Sequence, residues 1–455
     1  MKSLRALLRL DQVSVLILVL PYVAFSISLF RESPFFSFPK FLLTLSIFLF
    51  LDVAVKLFLK RFKGASLWVS LLLYSGILLL FYSPFLLIPV QNFIEDHFSG
   101  TLIRGRVLFV ILSLLILLFV FLTRKKNSSF NYFINAFMLI LFVVSLSGSI
   151  LKSRKHPVVP AKDLSGIRFD IRDSVLKPVI LIITDEYSSP DELYTLFPDS
   201  SIYDFSNGLK QAGWVVRNRS YSYETSTIHS MSSMFNFNLS EGKEYRKASL
   251  TTTSMNMLYS RLGDSLERKN IDIINFGIFD INKSRPFSRL YPYPKSYSEV
   301  LFYNSALTII NQNTGSMNQD GFKENFIAMA SHNKRIFEGL TDSLQRLSAN
   351  NHFVYVHLLM PHSPFVYYDE INKPRSTANY LAYWRFANRK VQGLLDKLLQ
   401  SNKYRIIVTG DHGYRGEPKI NAQYTATAFW GFRAEDIEQT KSVQDLGILI
   451  NGYLR

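Results

Sequence analysis

The sequence predicts two architectures in series: five transmembrane helices, then an α/β domain whose mostly parallel sheet is covered by helices on both faces. Three observations carry this. Residues 1–151 hold five apolar stretches of about 20 residues, the length of a helix that crosses a bilayer, with few charged residues inside them. From residue 178 onward, short apolar runs alternate with helical periodicity, the pattern of strands buried on both sides. The 455 residues include no cysteine, which removes disulfides, thiolate metal sites and Cys nucleophiles.

The predicted spans lie near 12–30, 41–59, 67–90, 105–123 and 130–151. The first is too long, and too poorly followed by small residues, to be a cleaved signal peptide. Basic residues cluster on one side: Lys2, Arg5 and Arg9, then Lys56, Lys60, Arg61 and Lys63, then Arg124, Lys125 and Lys126. Positive-inside logic puts the N-terminus in the cytoplasm and, after five crossings, residues from 152 onward outside. Much of the formal charge of +16 sits on these flanks. The remainder is too mildly basic to point to nucleic acid. Asp52, inside the second span, reads either as a polar group lining a lipid or substrate path or as an i,i+4 partner of Lys56.

The expected domains are therefore 1–151 in the membrane, a linker over 152–177 with Pro157 and Pro160, and 178–455 outside. Strand candidates in the last are Pro178–Thr184, Gly213–Ser222, Ile271–Phe276, His352–Leu359, Arg405–Thr409 and Tyr424–Phe432. Helices are expected around 254–269, 332–348 and 382–401.

In such sheets ligands gather beyond the carboxyl ends of the strands. Three polar clusters stand there: Asp185 and Glu186, His357 and His362, and Asp411 with His412. Each alone has an ordinary reading, as a helix cap or a turn residue. Together, carboxylates and imidazoles from separate strand ends can converge on one borderline-to-hard cation such as zinc or manganese. The hydroxyl-rich run Tyr223-Glu224-Thr225-Ser226-Thr227-Ile228-His229-Ser230 then reads as the start of a helix. A Thr there is either an N-cap or a nucleophile, since metal charge and the helix-end dipole both favour its alkoxide.

These motifs resemble the alkaline phosphatase/sulfatase superfamily, and with five preceding spans the layout resembles the membrane-anchored phosphoethanolamine transferases and lipoteichoic acid synthases. The transferase nucleophile segment, Thr-x-Thr-x-x-Ser-x-x-x-Met-Phe, is matched from Thr225 through Ser230 to Met234-Phe235 and implies Thr227 as nucleophile. A His-x-x-x-x-His-x-Pro element is matched by His357, His362 and Pro364, and the terminal Asp-His-Gly by Asp411, His412 and Gly413. The resemblance implies an alkaline phosphatase-like domain with Asp185, Thr227, Asp411 and His412 as metal ligands. Glu186 is the alternative to Asp185. His357, His362 and Lys283 are implied as phosphate-contacting residues, with His362 and Lys283 also catalytic.

The sequence departs from the family in four places, one being Asp185-Glu186 where the family has a single Glu. It lacks the disulfides common in those transferases. It has no histidine between Gly413 and Phe432, where they carry one. Leu358 stands four before His362, where two-metal relatives place an Asp. One tightly held divalent metal follows, zinc first and manganese second. No Cys/Ser-x-Pro-x-Arg string surrounds Thr227, which discounts sulfate-ester hydrolysis.

The implied activity is transfer of a phosphoethanolamine- or phosphoglycerol-type head group from a membrane phospholipid onto an envelope glycan or lipid. The setting is the outer face of a bacterial inner membrane, with a phospho-threonine intermediate. A hydrolase using the same residues, or a non-catalytic lipid-sensing protein of the same fold, are the alternatives.

Overall fold

The computed structural model describes residues 14–30, 38–61, 73, 75–82, 111, 114, 115, 118, 131–144, 162, 163, 171, 177–239, 257–282, 284–288, 319–345, 352–363, 365–367, 370–373, 376–400 and 403–454. The chain divides into two compact units, Met1–Pro157 with Pro294–Phe322 and Val158–Tyr293 with Lys323–Arg455.

In the first unit, α1 (Val15–Phe30) packs against α2 (Phe38–Arg61). Leu45, Phe48, Val55 and Leu59 recur on one stripe of α2 and meet Val15, Ile17, Leu18, Val19 and Tyr22 of α1. Asp52 lies on that stripe, is buried, and accepts a hydrogen bond from Lys56 Nζ at 2.7 Å. The i,i+4 pairing is thus realised. Pro21 interrupts the ladder of α1. Beside it the Tyr82 hydroxyl accepts from the Tyr22 N–H and donates to the Leu18 carbonyl.

Among the described residues one helix, Leu42–Arg61, is long and apolar enough to cross a membrane, rather than five. The apolar helix α3 (Asn131–Val144) is shorter, as is the 16-residue α1. Most of the third and fourth expected spans lies outside the described residues.

The second unit is built on a six-stranded sheet. Its strands are β2 (Val179–Thr184), β3 (Val215–Tyr221), β5 (Asp272–Phe276), β6 (His352–Leu358), β9 (Arg405–Gly410) and β10 (Tyr424–Trp430), in the order β3-β10-β9-β2-β6-β5. The pairs β9–β2, β2–β6 and β6–β5 are parallel, and β10 is antiparallel to both neighbours. The sheet is therefore mixed, with β10 alone running against the rest.

Alternation along β2 explains the layers. Val179, Leu181 and Ile183 face α6 (Thr227–Asn236), α7 (Arg261–Arg268) and α11 (Leu446–Tyr453). Ile180 and Ile182 face α4 (Pro190–Leu196), α5 (Asp204–Gln211), α8 (Gln319–Gln345) and α9 (Thr377–Leu399). All five side chains are fully buried. Each contributes about 1.5–3 kcal/mol by leaving water. A short helix, α10 (Ala434–Gln439), precedes α11.

Two small antiparallel ribbons complete the unit, β1 (Lys162–Asp163) with β4 (Asn238–Leu239), and β7 (Phe365–Tyr367) with β8 (Glu370–Lys373). The first lies partly in the expected linker, so Lys162 and Asp163 are part of a ribbon there.

Candidate metal centre

Parallel register assembles the centre. Thr184 stands opposite Gly410 on one side of β2 and Leu358 on the other, so the residues after β2 and β9 emerge side by side. Asp185 and Asp411 are the first of these. One ligand atom each from Asp185, Asp411 and His412 lies within 4.8 Å of the others, and all three residues are buried.

The hydrogen bonds leave these atoms ready for a cation. Asp411 Oδ1 accepts from the backbone N–H groups of Glu186 (3.0 Å) and His412 (2.9 Å). Its Oδ2 is buried without a hydrogen bond and lies 3.3 Å from His412 Nε2. His412 Nδ1 is 2.8 Å from the Gly413 carbonyl oxygen. A carbonyl can only accept, so Nδ1 bears the proton and Nε2 presents a lone pair to the cluster, the arrangement usual for a metal-bound imidazole. Two buried carboxylates beside an imidazole are costly without a cation, and this donor set suits zinc or manganese.

Gly413 has a steric task. A Cβ there would come within 2.5 Å of the Tyr424 carbonyl oxygen, while the Gly413 N–H donates to the Ala422 carbonyl at 2.7 Å. The Asp-His-Gly turn therefore lies directly on the backbone entering β10.

Thr227 is the first residue of α6, after the N-cap Ser226. Its hydroxyl donates to Asp185 Oδ1 at 3.0 Å and lies 3.5 Å from His412 Nε2. No side chain caps the helix, so N–H groups of its first turn remain for an anion. Thr225 is exposed. Ser230, one turn into α6, is buried and donates to the Asp411 carbonyl at 2.8 Å. Gln444 Nε2 in turn donates to Ser230 Oγ at 3.0 Å.

Asp185 and Glu186 separate. Burial alone would raise the Asp185 carboxyl, but His362, His357 and His412 together hold it below the usual carboxylate range. Glu186 is also fully buried, with a left-handed backbone at φ 60°. Its Oε1 accepts from the backbone N–H (3.1 Å) and Nε (3.2 Å) of Arg415.

His357 is fully buried in β6. Its Nδ1 is 2.6 Å from the Tyr355 hydroxyl and its Nε2 is 3.8 Å from Asp185 Oδ2. His362 is partly exposed, 3.8 Å from Glu186 Oε2 and 3.3 Å from Arg415 Nη2. Lys283 and Pro364 lie outside the described residues. Sequence reasoning missed Arg415 and Tyr355. The available signal for Arg415 was its place two residues beyond Asp-His-Gly. Tyr355 reads as an ordinary core aromatic.

An αβα unit that gathers buried carboxylates, an imidazole and a helix-end hydroxyl at the strand ends has the design of a metallo-enzyme of the alkaline phosphatase kind. The sulfatase family profile matches residues 177–435, and the chain belongs to that family.

Solved structures similar to this chain include these three. The integral membrane lipooligosaccharide phosphoethanolamine transferase A from Neisseria meningitidis is 14% identical at a TM-score of 0.41, covering 97% of this chain and 96% of that one. The C-terminal periplasmic domain of EptC from Escherichia coli, in complex with Zn, is 12% identical at 0.36, covering 60% and 81%. The phosphonate monoester hydrolase of Agrobacterium radiobacter is 12% identical at 0.33, covering 56% and 67%. No curated protein matches the chain.

Proposed function

We propose that the chain is a membrane-bound, metal-dependent phosphotransferase. It moves a phosphoethanolamine- or phosphoglycerol-type head group from a membrane phospholipid to an envelope glycan or lipid, through a phosphorylated Thr227. Residues 1–151 supply five membrane helices, with the N-terminus in the cytoplasm. After the 152–177 linker, residues 178–455 work outside a bacterial inner membrane, next to a donor that cannot leave the bilayer. The observation that carries the reading is the Thr227 hydroxyl at a helix N-terminus, in contact with both Asp185 and His412.

Asp185, Asp411, His412 and Thr227 would hold one divalent ion, zinc first and manganese second. When bound, it supplies positive charge to the phosphoryl oxygens and to the Thr227 oxygen. Asp185 accepts the Thr227 proton in a hydrogen bond and so turns an oxygen lone pair toward the donor phosphorus. Thr227 Oγ forms a bond to phosphorus as its proton passes to Asp185, the bond from phosphorus to the diacylglycerol oxygen breaks, and that oxygen takes up a proton. His362, at the partly exposed edge, delivers it. The acceptor hydroxyl then attacks the phosphorus and gives its proton to His362, the bond from phosphorus to Thr227 Oγ breaks, and Asp185 returns the proton to Thr227. The N–H groups at the start of α6 hold the phosphoryl oxygens in both halves.

Intact-mass measurement after incubation with defined phospholipids tests this reading. The protein should gain the mass of one donated group on Thr227. Thr227→Ala should gain nothing, while Thr225→Ala should still be labelled. An adduct on Thr225 or Ser230 would displace the assignment.

A further inference from the structure

We propose that Arg415 is a second, protein-borne cation of the centre, a guanidinium that grips the phosphoryl oxygens beside the metal-ligand group. The inference rests on the phosphotransferase reading and deepens it.

Glu186 sets the position. A non-glycine residue at φ 60° carries a cost of about 1–3 kcal/mol and persists only where its surroundings impose it. Here the surroundings are specific. The Glu186 N–H donates to Asp411 Oδ1, and its carbonyl accepts from the Tyr380 hydroxyl at 2.8 Å. The bend separates two successive carboxylates. Asp185 joins Asp411 and His412, while Glu186 takes both the backbone N–H and Nε of Arg415. The guanidinium is thus tethered to the residue following the hydrogen-bond partner of Thr227.

The donors then decide what it can do. Arginine has five N–H donors and no acceptor. Nε–H is spent on Glu186, and one Nη2–H points to His362 Nε2 at 3.3 Å. Three N–H groups remain, two of them on Nη1, and the side chain is 38% exposed. Glu186 is the one carboxylate that pairs with Arg415 among the described residues. A planar fork with spare donors, fixed at its base by a buried carboxylate, is suited to two oxygens of one phosphoryl group.

Charge counting points the same way. Asp185, Asp411 and Glu186 are three buried carboxylates. One divalent ion and one guanidinium balance them, so a second metal has no charge to neutralise. Arg415 would then account for how a site without a later histidine still holds a doubly anionic phospho-threonine.

The test uses the full-length, zinc-loaded protein in detergent with inorganic phosphate as the probe, read by titration calorimetry, together with elemental zinc content. Arg415→Ala should keep its zinc and bind phosphate about 10- to 100-fold more weakly, the span of a lost charge-assisted hydrogen bond. Arg415→Lys should fall between, keeping charge without the fork. Should Arg415→Ala fail to fold because Glu186 is left unpaired, the double variant Arg415→Ala with Glu186→Gln removes that buried charge and takes its place. Unchanged phosphate affinity in a folded, zinc-loaded variant would overturn the proposal, as would loss of zinc with loss of Arg415.

The two readings fail separately. Wild-type protein that never acquires a Thr227 adduct, yet binds phosphate through Arg415, loses the transferase reading and keeps this one. An adduct forming on Arg415→Ala with undiminished phosphate binding does the reverse.

Discussion

His332 should make the second unit lose stability on mild acidification, by an amount the structure sets. It lies on α8, fully buried, with Nε2 2.8 Å from the His357 carbonyl. Burial is the main force pulling its pKa from the ordinary 6.5 down to about 4; the bond to that carbonyl opposes it, and the charge on Arg335 assists it. Between those two values the unfolded chain binds a proton that the folded chain does not. Stability therefore rises with pH across the window. The contribution is intact above about 6.5 and lost by about 4. A fall from 6.5 to about 4 corresponds to roughly 3 kcal/mol, or about 10 °C in Tm for a unit of this size.

His332→Gln keeps an N–H donor near the Nε2 position and does not titrate. Tryptophan fluorescence melts suit the question, because three of the four tryptophans, Trp214, Trp384 and Trp430, belong to the second unit, and Trp68→Phe removes the fourth. The carboxylates titrate in both proteins and cancel in the difference. Wild type should lose about 3 kcal/mol more than His332→Gln between pH 6.5 and 4. Melting temperatures that fall in parallel would refute the reasoning.

Three further outcomes are expected. Asp411→Asn should lose metal and activity together, whereas His362→Ala should keep about one metal per chain by elemental analysis and lose turnover; a metal-free His362→Ala protein would show the ligands wrongly divided. Gly413→Ala should cost about 1–3 kcal/mol and weaken metal binding without deleting a ligand, because its Cβ meets the Tyr424 carbonyl; an unchanged zinc affinity in a competition titration would contradict this. A reporter fused after residue 455 should work only as an extracytoplasmic one, and a signal from a cytoplasm-dependent reporter would reverse the proposed topology.

The legible parts of the sheet share a physical cause. Strands buried on both faces, such as β2 and β6, carry continuous apolar runs whose ends the sequence marks to within a residue or two. The β1–β4 ribbon was illegible because two-residue strands have no period. The start of α8 was missed by more than a dozen residues. It begins at Gln319 in a polar stretch broken by Gly321, with no apolar stripe to announce it. At the centre, Asp185, Asp411 and His412 were legible because they abut strand ends. The separate direction of Glu186 was not, because it depends on one backbone angle, and neighbouring acids look equivalent until that angle is known. Arg415 was hidden for a related reason: a loop arginine gains meaning only from what it reaches.

His357 bears on how many cations the centre can hold. It reads in sequence as a phosphate contact, yet it lies within the core between Tyr355 and Asp185. Burial, with the charges of Asp411 and Asp185 behind it, drives the Tyr355 hydroxyl well above its ordinary pKa of 10. Tyr355 therefore stays protonated and can donate to Nδ1 of His357, 2.6 Å away. The imidazole proton then sits on Nε2, which faces a carboxylate oxygen at 3.8 Å. The opposite tautomer would turn a lone pair toward that carboxylate, the less favourable choice beside two buried anions. His357 consequently turns its N–H toward Asp185, 3.8 Å away, and has no lone pair to offer a metal. With His357 removed from the donor count, a second ion could draw on His362 alone among the predicted histidines, and His362 already meets Arg415. The proposal of a single tightly held metal rests on that proton's position as much as on the absence of a later histidine.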